Sequence, residues 1–126
     1  MAGRVVVSTL NDDTGVLATQ NGMRGIAKAW VNFNGTGTVA INSSFNVSSI
    51  TDNGTADYTI NFTTALPNTN YALAGMAQDS SNTEGYSFVG IPNPATKTTS
   101  ACQIRTTRLN VGNADSPSIS VSVFSS

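Results

Sequence analysis

Hydrophobic and polar residues alternate with a period of two along much of this chain. Tyr58, Ile60 and Phe62 alternate with Asp57, Thr59, Asn61 and Thr63, and Ile119, Val121 and Val123 alternate with Ser118, Ser120 and Ser122. Successive side chains of a strand point to opposite faces, so this pattern predicts strands with one face in a core and the other in water. No stretch of similar length carries the 3.6-residue period of a helix. The segment from Gly15 to Asn21 has room for a turn of helix, but the glycines at 15 and 22 predict a loop there.

Turn residues punctuate the alternating runs. Asp52-Asn53-Gly54 lies between Phe45–Ile50 and Tyr58–Phe62, where Asn-Gly predicts a type I′ hairpin because both residues accept a positive φ. Asn34-Gly35-Thr36-Gly37 separates Ala27–Phe33 from Thr38–Asn42 in the same way. Leu66-Pro67-Asn68 and Ile91-Pro92-Asn93-Pro94 each close a strand, since proline cannot continue a central ladder. The predicted strands are Arg4–Thr9, Gly25–Phe33, Thr38–Ile41, Phe45–Ile50, Tyr58–Thr63, Tyr71–Met76, Tyr86–Ile91, Ala101–Val111 and Ser118–Phe124.

Short strands with turns every 8–12 residues predict an all-β fold, a single antiparallel β-sandwich or jelly-roll-like domain over residues 1–126. The expected core is Trp30, Phe33, Val39, Ile41, Phe45, Val47, Ile50, Tyr58, Ile60, Phe62, Leu73, Phe88, Ile104, Leu109, Ile119, Val121 and Val123. Parity slips by one between Val47 and Ile50, which a β-bulge or a shifted strand boundary would absorb. Residues 1–22 form an N-terminal strand and loop available for assembly. The C-terminal strand, running almost to Ser126, is expected at a sheet edge or paired with a neighbouring chain.

Composition changes the picture by subtraction. Only 10% of the 126 residues are charged and the net charge is -1, which gives no basic footprint for nucleic acid. Polarity comes from Ser, Thr and Asn instead. Arg105 and Arg108 lie close together, and a solvated strand face is the expectation for both. There is no histidine, so the usual general base, the Ser-His and Cys-His pairs and the commonest metal ligand are missing. The lone Cys102 reads as a buried structural thiol. The apolar run Val5-Val6-Val7 is too short for the core of a signal peptide, and nothing approaches a membrane span. Synthesis in a cytoplasm, with no export by the usual route and no membrane insertion, is the expectation.

Few motifs carry chemistry. Asp13-Thr14-Gly15 is the tripeptide of aspartic proteases, whose two carboxylates share a proton, and Phe88-Val89-Gly90 loosely matches a second element of that family. The flanks differ: Asn11 and Asp12 stand where apolar residues precede the catalytic Asp, and Val16 where a small residue follows. The protease is therefore a remote alternative. Asp12 and Asp13 supply too few oxygens for a Ca²⁺ loop, so no metal and no cofactor is expected. Asn-X-Ser/Thr sequons at Asn34, Asn42, Asn46, Asn53 and Asn61 read as by-products of polar strands and turns. Tyr86, beside Asn82 and Glu84 in the polar loop Gln78–Gly85, is the candidate for stacking on a sugar ring, against the simpler expectation that Tyr86 alternates into the core with Phe88.

Gly25-Ile26-Ala27-Lys28-Ala29-Trp30-Val31, Ser44-Phe45-Asn46-Val47-Ser48-Ser49 and the run from Asp57 through Leu66-Pro67 carry a resemblance, to which Leu17–Met23 also conforms. Together they resemble a module of tailed-bacteriophage virion proteins, found toward the C-terminal ends of tail-fibre proteins in marine phages and prophages. The resemblance covers somewhat under half the chain, and the part after Met76 matches only loosely. It implies a non-catalytic particle component, trimeric, contacting other virion proteins and a host surface glycan or protein. Such modules normally follow an attachment region and a shaft, whereas this sequence opens almost directly on the module. A small fibre tip or a capsid decoration protein is then the expectation.

Overall fold

The computed structural model describes residues 3–11, 15–79, 86–92 and 97–126. Among the described residues the chain is all-β except for one short helix. Strands β1 (Thr9–Asn11) and β2 (Val16–Ala18) form a small hairpin, followed by helix α1 (Thr19–Gly25). Then come β3 (Ala29–Asn34), β4 (Ala40–Phe45), β5 (Val47–Gly54), β6 (Asp57–Phe62), β7 (Ala72–Ala77), β8 (Ser87–Gly90), β9 (Ala101–Arg108), β10 (Gly112–Asn113) and β11 (Ile119–Phe124).

These nine strands make one antiparallel sheet, ordered β4-β3-β11-β7-β8-β9-β6-β5, with β10 paired to β9. The two edge strands, β4 and β5, are consecutive in the chain, so the sheet curls into a nearly closed, barrel-like wall. Asn46 makes the corner between them at φ 54°, a left-handed conformation that Asn tolerates better than most residues. Its side-chain amide donates to the Lys28 and Thr64 carbonyls at 3.0 and 3.1 Å, and its Oδ1 accepts from the Thr64 amide at 2.7 Å.

Inward-pointing residues of four strands form the centre of the barrel. Ala29, Val31 and Phe33 of β3 meet Ile119, Val121 and Val123 of β11, with Tyr58, Ile60 and Phe62 of β6 and Cys102 and Ile104 of β9 opposite. Phe33 packs edge-on against Tyr58 at 5.2 Å between ring centroids, and Phe62 against Tyr71 at 5.9 Å. Full burial of a side chain of this size is worth about 1.5–3 kcal/mol, so this cluster dominates the stability.

Several expectations shift. The C-terminal strand β11 is central, paired on one side with β3 and on the other with β7, instead of lying at an edge. Its strict apolar alternation suits a strand with neighbours on both sides, and the edges fall to β4 and β5, whose faces are mostly exposed. Strand pairing begins at Thr9, where the N-terminal strand was expected to end, and Gly22 lies inside a helix that runs on to Gly25. The β5–β6 hairpin forms, but its turn is Thr55-Ala56, two residues beyond Asn53-Gly54. Ala56 takes φ 61° because its N–H donates to Asp115 Oδ1 at 2.7 Å and its carbonyl accepts from Thr106 at 2.9 Å. The parity slip after Val47 is a register shift between Val47 and Ser49, as a bulge would give.

The core membership changes with the phase of three strands. Trp30, Phe45, Ile41, Phe88 and Leu109 are exposed, while Ala29, Val31, Leu66 and Tyr71 take core places. On β3 the odd positions face inward, which turns Trp30 out to pair with Phe45 across the β3–β4 ladder. Leu109 lies just past the end of β9.

Candidate functional site

The outer surface of β8, β9, β6 and β5 carries the side chains best placed for recognition. On β8 the phase is set from inside. Gly75 of β7 is in phase with Leu73 and Ala77, which pack against the core, and a Cβ there would lie 3.1 Å from the Val89 side chain and 3.2 Å from the Ser120 carbonyl. The missing Cβ lets Val89 pack inward, and alternation then turns Phe88 outward, with Tyr86 two residues earlier also exposed. Tyr86 is 69% exposed and Phe88 54%, so neither alternates into the core. Residues two apart on one strand face stand about 7 Å apart, a spacing that presents two rings side by side.

A polar array continues this face across the sheet. Phe88 is opposite Thr107, Gly90 is opposite Arg105, and Arg105 is opposite Asp57. The Arg105 guanidinium reaches Asp57 Oδ2 at 3.1 Å, while Gln103 and Asn53 donate to Oδ1. Burial works to raise the Asp57 pKa. The hydrogen bonds from Gln103, Asn53 and Arg105, together with the Arg105 charge, outweigh it and hold the carboxyl below its ordinary value. Asn53 also donates to Thr59, and Asn61 donates to Ser49 and Thr51, so the face is a lattice of amides and hydroxyls. Arg105 keeps a half-exposed side chain, as a solvated strand face implies. Arg108 does not: its Nε lies 2.9 Å from Asp79 Oδ1, and both side chains are largely covered.

Other titratable groups serve the interior. The Tyr58 hydroxyl lies 2.8 Å from Asp115 Oδ1 and 2.9 Å from the Gly35 carbonyl, and burial followed by the Asp115 charge pushes its pKa well above the ordinary phenol value. Cys102 is fully buried, and burial raises its thiol to about 11 despite the opposing influence of Lys97 and Tyr71. At neutral pH it is a protonated, inaccessible thiol, in keeping with a structural role. Lys97 sits 4.4 Å from the centre of the Tyr71 ring and donates to the Tyr71 carbonyl at 2.7 Å, which ties the segment before β9 to the residue just before β7.

Asn82 and Glu84, the neighbours expected to assist Tyr86, lie outside the described residues, as do Asp12, Asp13 and Thr14. Phe88-Val89-Gly90 is the body of β8, with its aromatic ring on the outer face. Among the described residues no three His, Cys, Asp or Glu side chains gather as a metal-binding group would. No described helix is long and apolar enough to cross a membrane.

The aromatic pair escaped the sequence pattern because alternation gives a strand two faces without saying which is inside. No protein-family profile, no curated protein and no solved structure matches this chain.

Proposed function

We propose that this chain is a non-enzymatic surface module of a bacteriophage particle, of tail-fibre or receptor-binding type, acting as a homo-oligomer. The observation that carries the recognition role is the outward pair Tyr86 and Phe88 beside the Asp57–Gln103–Arg105 array. Aromatic faces stack on the apolar faces of sugar rings, and adjoining amides and hydroxyls meet sugar hydroxyls without large charge. Repetition of such a weak site by symmetry raises avidity without new contacts. The resemblance of Gly25–Val31, Ser44–Ser49 and Asp57–Pro67 to tail-fibre modules supports the particle setting.

One observation favours a second reading, a capsid decoration protein: the N-terminal unit projects apolar side chains that the barrel does not cover, as a lattice clamp would. The number of copies per purified particle separates the two. A handful to a few dozen copies supports a tail or vertex fibre, copies comparable to the major capsid protein support decoration, and absence from the particle refutes both. On a glycan array, Tyr86→Ala and Phe88→Ala should each remove the binding shown by the unmodified protein while its thermal transition is unchanged. An unmodified protein that binds no glycan sinks the sugar-binding role and leaves the particle setting to the copy number.

A further inference from the structure

Asn-Gly occurs three times in the chain, at Asn21-Gly22, Asn34-Gly35 and Asn53-Gly54. The pair carries a reaction of its own. The backbone nitrogen that follows an asparagine can attack the side-chain amide carbon, and a glycine, lacking Cβ, obstructs that approach least. The reaction requires a side chain free to swing onto the next amide, and water at hand.

The fold treats the three pairs differently. Asn21-Gly22 lies inside helix α1, where helical torsions hold the following amide away from the side chain. At Asn34-Gly35 the glycine is buried and its N–H donates to the Ser116 carbonyl at 2.9 Å. Asn34 Oδ1 accepts from the Thr36 amide and hydroxyl at 2.9 and 2.7 Å. Attacking nitrogen and attacked amide are thus both engaged, beneath the Tyr58 ring. At Asn53-Gly54 both residues are exposed. The β5–β6 register shifts between Asp52 and Gly54, so Asn53 has no partner in the ladder. Nothing lies within 4 Å of where a Gly54 Cβ would be. The Gly54 N–H donates to Asp52 Oδ1 at 3.0 Å, a carboxylate placed to receive its proton.

We propose that Asn53-Gly54 is a self-modification site, at which the folded protein converts the Asn53 amide to a carboxylate on the outer face beside Asp57. The Gly54 nitrogen attacks Asn53 Cγ. The N–Cγ bond forms, the Cγ–Nδ2 bond breaks, and Nδ2 leaves as ammonia with the proton that the Gly54 nitrogen gives up. Water then opens the five-membered imide. Cleavage at Cγ gives an aspartyl residue, and cleavage at the backbone carbonyl gives an isoaspartyl residue whose main chain runs through Cγ. The balance is one water consumed and one ammonia released, with no oxidant or reductant. Asn53 Nδ2 donates to Asp57 Oδ1 at 3.1 Å and to Thr59 Oγ1 at 2.8 Å, and both bonds are lost with it. A second carboxylate takes the place of a donor next to Asp57, which only Arg105 balances by charge. The site stands on the geometry of the β5–β6 hairpin and does not depend on the recognition role proposed above.

The test is to age the purified full chain at mildly alkaline pH in heavy-oxygen water, folded and in urea, and to map its peptides by mass spectrometry. In the folded chain position 53 should turn acidic, carry one solvent oxygen and contain the isoaspartyl form. Position 34 should react at least about tenfold more slowly, because it reacts only when its buried turn opens. In urea the three pairs should react at similar rates. Asn53→Gln should abolish the product at 53, since ring closure through the longer side chain is slow. Asn53→Asp should raise the pH at which Asp57 titrates by NMR, through the added like charge. An intact Asn53 in folded protein whose unfolded form reacts overturns the proposal, as does folded protection at 53 equal to that at 34. An unchanged Asp57 titration overturns the effect assigned to the product.

Discussion

The barrel and the N-terminal unit use the same apolar residue types in opposite ways. Val31, Val121 and Val123 are at most 2% exposed inside the barrel, whereas Val5 and Val6 are 86 and 75% exposed. In the barrel Val121 lies between Ser120 and Ser122, which face the other way, so a single wall of sheet satisfies both. In the N-terminal run three valines follow one another, and no single wall can do so. The difference separates stability that the chain supplies to itself from apolar surface that its own barrel leaves open.

The sharpest break of that comparison is inside the barrel. Gly35 is buried beneath Tyr58, and an added Cβ would overlap its hydroxyl and ring, with the Ile119 side chain 2.9 Å away. Gly35→Ala should therefore destabilise by about 3 kcal/mol in chemical denaturation, through overpacking and loss of the Tyr58 hydrogen bonds. A loss below about 1 kcal/mol would show that Tyr58 can move aside.

The corner at Asn46 comes next. Asn46→Ala removes three side-chain hydrogen bonds and places a Cβ residue without local compensation at φ 54°, for an expected loss of about 2 kcal/mol. Asn46→Gly keeps the backbone conformation accessible and should recover part of that loss, so equal losses for the two would assign the whole effect to the hydrogen bonds. The smallest effect belongs to the N-terminal unit. Val6→Ser should change the unfolding free energy by less than about 0.5 kcal/mol in chemical denaturation. A large loss there would mean that the barrel leans on this unit after all.

The sequence alone determined the all-β class, the existence of the strands from β3 onward except the two-residue β10, and the inward phase of β6 and β11. Those strands alternate without interruption, and period two is a local property that no neighbour can change. It also marked the Asn34–Gly37 turn, where Gly37 has φ 62° and the Thr36 amide donates to Asn34 Oδ1. It could not assign the phase of β8, because the side that packs is set by contacts with other strands, such as Val89 against the core and close to Gly75. Nor could it locate the turn at Thr55-Ala56, where Asp115, remote in sequence, holds Ala56 in a conformation its own side chain disfavours. The central position of β11 and the outward Tyr86 and Phe88 were likewise decided only when the sheet curled and brought distant strands side by side. Alternation is written within a strand, but which face is the inside is a relation between strands.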